Sequence, residues 1–131
     1  MARMILLDTH IWIWWLNGEG AERLSNEELQ LVEAHASDGA IAISSITLWE
    51  VYMLNQKKRV AFSIPFDHWL HQATTPEVTR VLDINAQVIT ALATLPSSVH
   101  GDPADMIIAA TSKAHGIRLI SHDRRLAQNK W

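Results

Sequence analysis

Met4-Ile5-Leu6-Leu7-Asp8 is a continuous apolar run stopped by a carboxylate, and Ile11, Trp12, Trp15 and Leu16 follow it at helical spacing until Asn17-Gly18 breaks the pattern. A short apolar run without alternation predicts a strand buried on both faces, at the centre of a parallel sheet, because such a strand has no solvent side. Strand followed directly by helix is half of a βαβ unit, and the rest of the chain repeats it. Ser25 and Glu28 form a capping box, with Leu24 and Leu29 as its hydrophobic staple, so a helix is expected from about Asn26 to Ala36. Asp38-Gly39 then turns the chain. Ala40-Ile41-Ala42-Ile43 reads as a second strand, after which Ser44 or Ser45 can cap a helix running to about Lys58. Pro65 to about Thr74 predicts a short helix, Val78 to Leu82 a third strand, and Asn85 to Leu95 another helix. Asp102-Pro103 opens a helix ending near His115-Gly116, and Ile117 to Ile120 is a fourth apolar strand closed by Ser121-His122-Asp123. The alternation implies right-handed crossovers and an α/β fold: an open parallel sheet with helices on both faces.

Composition narrows the function. With 131 residues and 48% hydrophobic content, the chain suits one compact core, and residues 1–131 are expected to form a single domain. A charged fraction of 19%, five Gly and four Pro argue against disorder and repeat arrays. The absence of Cys excludes disulfides, thiolate zinc sites and cysteine nucleophiles, and points to a reducing cytoplasm. Asp8 and His10 interrupt the N-terminal apolar stretch and no small-residue cleavage site follows. Neither a signal peptide nor a spanning helix is expected, and the protein should be soluble. A net charge of −3 is unlike the basic balance usual for nucleic-acid binders. Carboxylates dedicated to divalent ions would lower the charge of the apoprotein, however, and the ions would reverse the local sign where phosphate arrives.

Ligands of open parallel sheets bind in the crevice at the carboxyl ends of the strands, which singles out Asp8 and Asp123. Either alone reads equally well as a helix cap. Glu50 is more informative, because it shares a helix face with Ile46, Met53 and Leu54 and therefore needs a partner, whether a cation or an Arg salt bridge. Asp102 and Asp105 fall at the N-cap and third position of the helix that Pro103 begins, where a structural capping box would also put them. That helix carries Ile107, Ile108, Ala109 and Ala110 and should be buried, so its first turn opens near the same crevice. Four inward acids would repel one another unless neutralised, and an all-oxygen donor set suits Mg²⁺ or Mn²⁺, the ions of phosphodiester cleavage.

Leu7-Asp8-Thr9-His10, Ser45-Ile46-Thr47-Leu48-Trp49-Glu50, His100-Gly101-Asp102-Pro103-Ala104-Asp105-Met106-Ile107-Ile108-Ala109-Ala110 and Leu119-Ile120-Ser121-His122-Asp123 together resemble, in order and over nearly the whole chain, a PIN-domain protein of the VapC toxin type. The resemblance implies a three-layer α/β/α fold with a four- or five-stranded parallel sheet. It also implies a metal-dependent endoribonuclease, usually dimeric, held inactive by a cognate antitoxin in a type II toxin-antitoxin pair. Asp8, Glu50, Asp105 and Asp123 match the acidic quartet that holds the metal and carries catalysis in that family. Asp102 matches an additional, secondary acid of the branch with the Asp-Pro-x-Asp motif. Thr9 and Ser121 match small hydroxyl residues that accompany the acids and are expected to support them. Two features depart from the pattern: Met106 stands where many relatives of this branch carry Arg, and little chain follows Asp123 to supply a final strand.

His10, His100 and His122 each lie within two residues of a candidate acid, which raises a mixed His and carboxylate metal site. Without a helical His pair or a fixed ligand spacing, His10 and His122 are better expected to support the acids or touch RNA. Arg124 and Arg125 beside Asp123 are the cations expected to receive RNA phosphates. Lys57, Lys58 and Arg59 are equally explained by favourable interaction with a helix C-terminus. Of six Trp, Trp12, Trp15 and Trp49 fit apolar helix faces, while Trp14, Trp69 and Trp131 are candidates for a dimer seam or an antitoxin groove. Two other functions compete. A phosphoryl-transfer protein, either an aspartyl-phosphate hydrolase or a receiver domain, would also place Asp after the first strand. Asp8-Thr9-His10, however, lacks the second acid of a hydrolase Asp-x-Asp, and no Lys follows a later strand in the receiver manner. A non-catalytic binding module would use all the acids as caps and salt bridges.

Overall fold

The apolar run that opens the chain forms the centre of the sheet in the computed structural model, which describes residues 3–131. The elements are β1 (Ile5–Leu7), α1 (Thr9–Leu16), α2 (Gly20–Arg23), α3 (Asn26–Ser37), β2 (Ile41–Ser44), α4 (Ile46–Gln56), α5 (Phe66–Ala73), β3 (Arg80–Leu82), α6 (Ala86–Leu92), a 3₁₀ turn (Ser97–Val99), α7 (Pro103–His115), β4 (Arg118–Ile120) and α8 (Arg124–Ala127). Among the described residues there are four strands, all paired in parallel, in the order β3-β2-β1-β4. Ile5 stands opposite both Ile41 and Arg118, and Leu7 opposite Ile120.

Successive strand residues face opposite sides of a sheet, and the two cores divide accordingly. Ile5, Leu7, Ile41, Ile43 and Ile120 pack with α1, α3, Val51 of α4 and α5. Leu6, Ala42 and Leu119 pack with α6, α7 and Leu126 of α8. The result is a three-layer α/β/α fold. Right-handed crossovers explain the division: β1 to β2 to β3 steps one way across the sheet and lays its helices on one face. The return from β3 to β4, on the far side of β1, lays the later helices on the other.

Local signals set most element ends. Ser25 and Glu28 complete the capping box of α3 in both directions, at 3.1 and 2.8 Å. Of the two serines able to cap α4, Ser44 does so, accepting a hydrogen bond from the Ile46 N–H at 3.2 Å. α6 ends at Leu92 rather than near Leu95, and the 3₁₀ turn follows Pro96; a residue preceding proline is biased away from helical backbone. Trp12 is fully buried and donates its indole N–H to Thr79 Oγ1 at 3.0 Å. Trp69, read from sequence as a surface candidate, instead lies in the first core, edge-on to Trp12 with ring centroids 5.3 Å apart. Trp49, read as part of an apolar helix face, is 54% exposed.

The outer edge of β4 is closed by one side chain. Asn129 adopts left-handed backbone (φ 50°), and its amide accepts from the Leu119 N–H at 2.8 Å and donates to the Leu119 carbonyl at 3.0 Å. It thus supplies at Leu119 the pair of bonds that a neighbouring strand would make. Asn129→Ala leaves both groups without these partners and should lower stability by about 2 kcal/mol. The urea midpoint is expected to fall with unchanged m-value, and an unmoved midpoint would show that water replaces the amide at no cost. Among the described residues no helix is long and apolar enough to cross a membrane.

Candidate metal centre

The strand order reverses at β1, whose neighbours are β2 on one side and β4, last in sequence, on the other. Such a reversal leaves a crevice beyond the carboxyl ends of the strands, because the connecting helices leave on opposite faces. Asp8, Glu50, Asp105 and Asp123 line one cleft of about 280 Å³ there, together with Thr9, His10, Trp14 and His122.

Asp8 follows β1 directly, and its own N–H extends the ladder to Ile120 at 3.0 Å. As N-cap of α1 it accepts the Thr9 N–H on Oδ1 at 2.8 Å, while Oδ2 accepts the Ser121 hydroxyl at 2.6 Å. Ser121 follows β4 and also receives the Asp123 N–H at 3.0 Å, so one hydroxyl ties the two strand ends together. Thr9 is buried and donates to Glu50 Oε1 at 2.5 Å. Its single proton being used there, the Thr47 hydroxyl 3.0 Å away is the donor to Thr9, which makes a chain from Thr47 through Thr9 to Glu50. Glu50 therefore finds a hydroxyl partner, not the Arg salt bridge that its apolar helix face also allowed. Thr47 lies within the motif that carries the resemblance but has no role assigned there, although its place three residues before Glu50 on α4 puts both on one helix face.

α7 contributes the other acids from its first turn. Asp102 is its N-cap, accepting the Ala104 and Asp105 N–H groups on Oδ1 at 2.8 and 3.3 Å. Glu50, Asp102 and Asp105 each present a ligand oxygen within 4.8 Å of the others, so the acid treated as secondary belongs to the tightest group. An octahedral Mg²⁺ with bonds of about 2.1 Å sets opposite oxygens about 4.2 Å apart. The three oxygens lie within reach of such a shell, and the donor set is all oxygen, so these residues fit a hard divalent cation. Asp123 is the N-cap of α8 and stands apart in character. It accepts the Arg125 N–H at 2.9 Å and forms a two-point ion pair with the Arg125 guanidinium at 2.9 and 3.2 Å.

Charge crowding shows in the carboxyl groups. Burial raises the Glu50 pKa to about 7, helped by the nearby Asp8, Asp105 and Asp102, while the Thr9 hydroxyl pulls the other way. Burial likewise raises Asp105 to about 6, with Asp8, Asp102 and Asp123 adding to the effect and Arg125 opposing it. The hydrogen-bonded Arg125 holds Asp123 below its usual range. Both raised groups keep protons in the folded state that the unfolded chain has released, so their contribution to stability shrinks as pH rises from their ordinary values through 6 and 7. EDTA-treated protein should accordingly melt at a higher temperature at about pH 5.5 than at about pH 7.5, with divalent cation restoring more at the higher pH. Asp123 and Glu28 have lowered pKa values, and their stabilisation is lost only on acidification below their ordinary range, outside this window. A flat or rising profile would contradict the crowding.

The remaining expected site residues divide. His122 lines the cleft but pairs with Glu28, Nε2 to Oε1 at 2.9 Å, an acid read from sequence only as part of a cap. His10 and His122 flank the Trp14 ring, with centroids 5.6 and 5.5 Å away. His100 is exposed and does not line the acid cleft. Arg124 is exposed on α8. Arg125, expected to reach for RNA, turns into the acids: its guanidinium also lies 3.6 Å from Asp105 and rests over Gly101, where a Cβ would come within 2.6 Å of it.

Comparison with known proteins agrees with this architecture. The PIN domain family profile matches residues 5–131. The chain is 37% identical over 126 residues to "Ribonuclease VapC22" of Mycobacterium tuberculosis (strain ATCC 25618 / H37Rv), covering 96% of this chain and 92% of that protein. Its fold is similar to the crystal structure of VapBC2 from Rickettsia felis bound to a DNA fragment from its promoter, with a TM-score of 0.68 at 17% identity over 97% of this chain and 93% of that one. With an acid-lined crevice at the reversal of a four-stranded parallel sheet and a family match over nearly its full length, this chain belongs to the PIN domain family.

Proposed function

We propose that this chain is an endoribonuclease dependent on Mg²⁺ or Mn²⁺, and the toxin of a type II toxin-antitoxin pair. The observation that carries the reading is the convergence of Asp8, Glu50, Asp105 and Asp123 on one cleft, with Asp102 beside Glu50 and Asp105. A divalent cation held by these residues would supply Lewis acidity and activate water, chemistry suited to hydrolysis of a phosphodiester to a 5′-phosphate and a 3′-hydroxyl. The protein's part is to hold the oxygens still. Thr9 fixes one oxygen of Glu50 and leaves the other free, Ser121 fixes Asp8, and the α7 N-terminus fixes Asp102. Asp8 accepts hydrogen bonds on both oxygens, an arrangement better suited to a held ligand than to the nucleophile of an aspartyl-phosphate enzyme.

Likeness to the mycobacterial ribonuclease supports an RNA substrate, likeness to the VapBC2 structure is compatible with a cognate antitoxin, and the absence of Cys is compatible with a cytoplasmic setting. Exposed Trp49 and Tyr52, one turn apart on α4, support a homodimer, for which sedimentation equilibrium should give twice the 14.8 kDa chain mass. The test of function is incubation of purified protein with tRNA and rRNA pools in EDTA, then with Mg²⁺ or Mn²⁺ restored. Discrete fragments with 5′-phosphate ends should appear only with metal. Cutting that persists in EDTA, or ends bearing 2′,3′-cyclic phosphate, would refute the reading.

A further inference from the structure

His10 and Trp14, one turn apart on α1, form a wall with a cleft on each side. One side is the acid cleft. The other, of about 390 Å³, lies between α1, α2 and the segment after α4, and its lining includes Arg23 and Arg59 as well as Glu19. The two clefts are chemically opposite, one lined by four carboxylates and the other by two guanidinium groups against one carboxylate. Arg23 is held in place: its guanidinium carbon sits 5.4 Å over the Trp14 ring, and its Nε is 3.6 Å from Glu19. Trp14 thus orients a cation beside the acid cleft, since an aromatic face attracts a guanidinium. Arg59 makes no ion pair among the described residues. Arg125, the other cation close to the acids, is already engaged by Asp123 and Asp105.

A single-stranded polyanion whose reacting phosphodiester lies among carboxylates is repelled there except at a bound cation, so it needs positive charge along the adjoining strand. From this juxtaposition we infer that the Arg23 and Arg59 cleft is a phosphate subsite, which binds the RNA backbone flanking the bond to be cut. Phosphate contacts of this kind fix register and orientation and carry no base preference. The inference rests on the ribonuclease reading and adds the path of the substrate: from the acid cleft, past His10 and Trp14, toward Arg59.

The test uses Asp8→Asn protein, to hold RNA without cutting it, and a short labelled single-stranded RNA followed by fluorescence anisotropy over a salt series. Arg59→Gln and Arg23→Gln should each weaken binding and reduce the slope of log Kd against log salt by about 0.7, the value for one lost phosphate contact on a single strand. Arg80→Gln is the control, because Arg80 begins the edge strand β3, at the end of the sheet away from the acids; its slope should stay at the parent value. In the cleaving protein, Arg59→Gln should raise KM and leave kcat unchanged. Equal slope changes in all three variants would reduce the effect to bulk charge and overturn the subsite. Unchanged slopes for Arg59→Gln and Arg23→Gln would overturn it as well, leaving the cleft to a protein partner. Those outcomes differ from failure of the ribonuclease reading, in which the unsubstituted protein neither cuts nor binds RNA.

Discussion

Asp8→Asn should reduce metal-dependent RNA cleavage by on the order of 10³-fold while leaving the protein folded. The carboxylate stands where β1, α1 and β4 meet, with Thr9 and Ser121 donating to its two oxygens. An Asn side chain keeps one carbonyl oxygen, and Asn caps helix N-termini as well as Asp does, so α1 should persist. On the proposed reading, what is lost is a negative charge that would help hold a divalent cation. A cation bound there would contribute several kcal/mol of transition-state stabilisation, and each factor of ten in rate corresponds to about 1.4 kcal/mol. Cleavage kinetics on one defined RNA, with circular dichroism of the same sample, separate the two effects. An unchanged metal-dependent rate in a folded variant, from protein shown free of contaminating nuclease, would remove Asp8 from the metal centre.

Glu50→Gln should have two opposite effects. Cleavage should fall by a similar order, because Glu50 belongs to the tight group with Asp102 and Asp105. Metal-free protein at neutral pH, in contrast, should become more stable, because a half-buried carboxyl raised to about 7 burdens the fold once it ionises. After discounting for solvent screening of a partly exposed group, the gain is about 1 kcal/mol. The Thr9 hydroxyl keeps its acceptor, since a Gln carbonyl can take the same bond. Thermal melts should therefore show a higher melting temperature for the variant in EDTA, and a smaller rise on adding Mn²⁺ than the parent shows. A variant that is less stable in EDTA would mean that Glu50 is chiefly a structural hydrogen-bonding group. Loss of activity with an undiminished Mn²⁺ response would place the cation elsewhere in the cleft. Together the two substitutions distinguish a ligand at the strand ends from one on the helix that closes over them.

Sequence alone determined the α/β alternation, the carboxylates Asp8 and Asp123 just beyond the first and fourth strands, and the caps at Ser25 and Asp102, because each depends on neighbours a few residues away. Burial on both faces leaves the central strand no polar alternation, and a carboxylate that stops such a run must stand at the sheet's edge of solvent. Only the tertiary structure decided the partnerships. Asp8 meets Ser121 across 113 residues and Thr9 meets Glu50 across 41, contacts set by crossover and strand register that no local period encodes. It likewise decided that Asp102 joins Glu50 and Asp105, and that Arg125 turns inward over Gly101. α4 shows where pattern reading runs out: its period sets Glu50 among Ile46, Met53 and Leu54, but with Leu48, Trp49, Val51 and Tyr52 the helix is apolar nearly all round, so the period could not tell which of these last four is buried. The packing of the layers resolved that, burying Val51 and leaving Trp49 and Tyr52 in solvent.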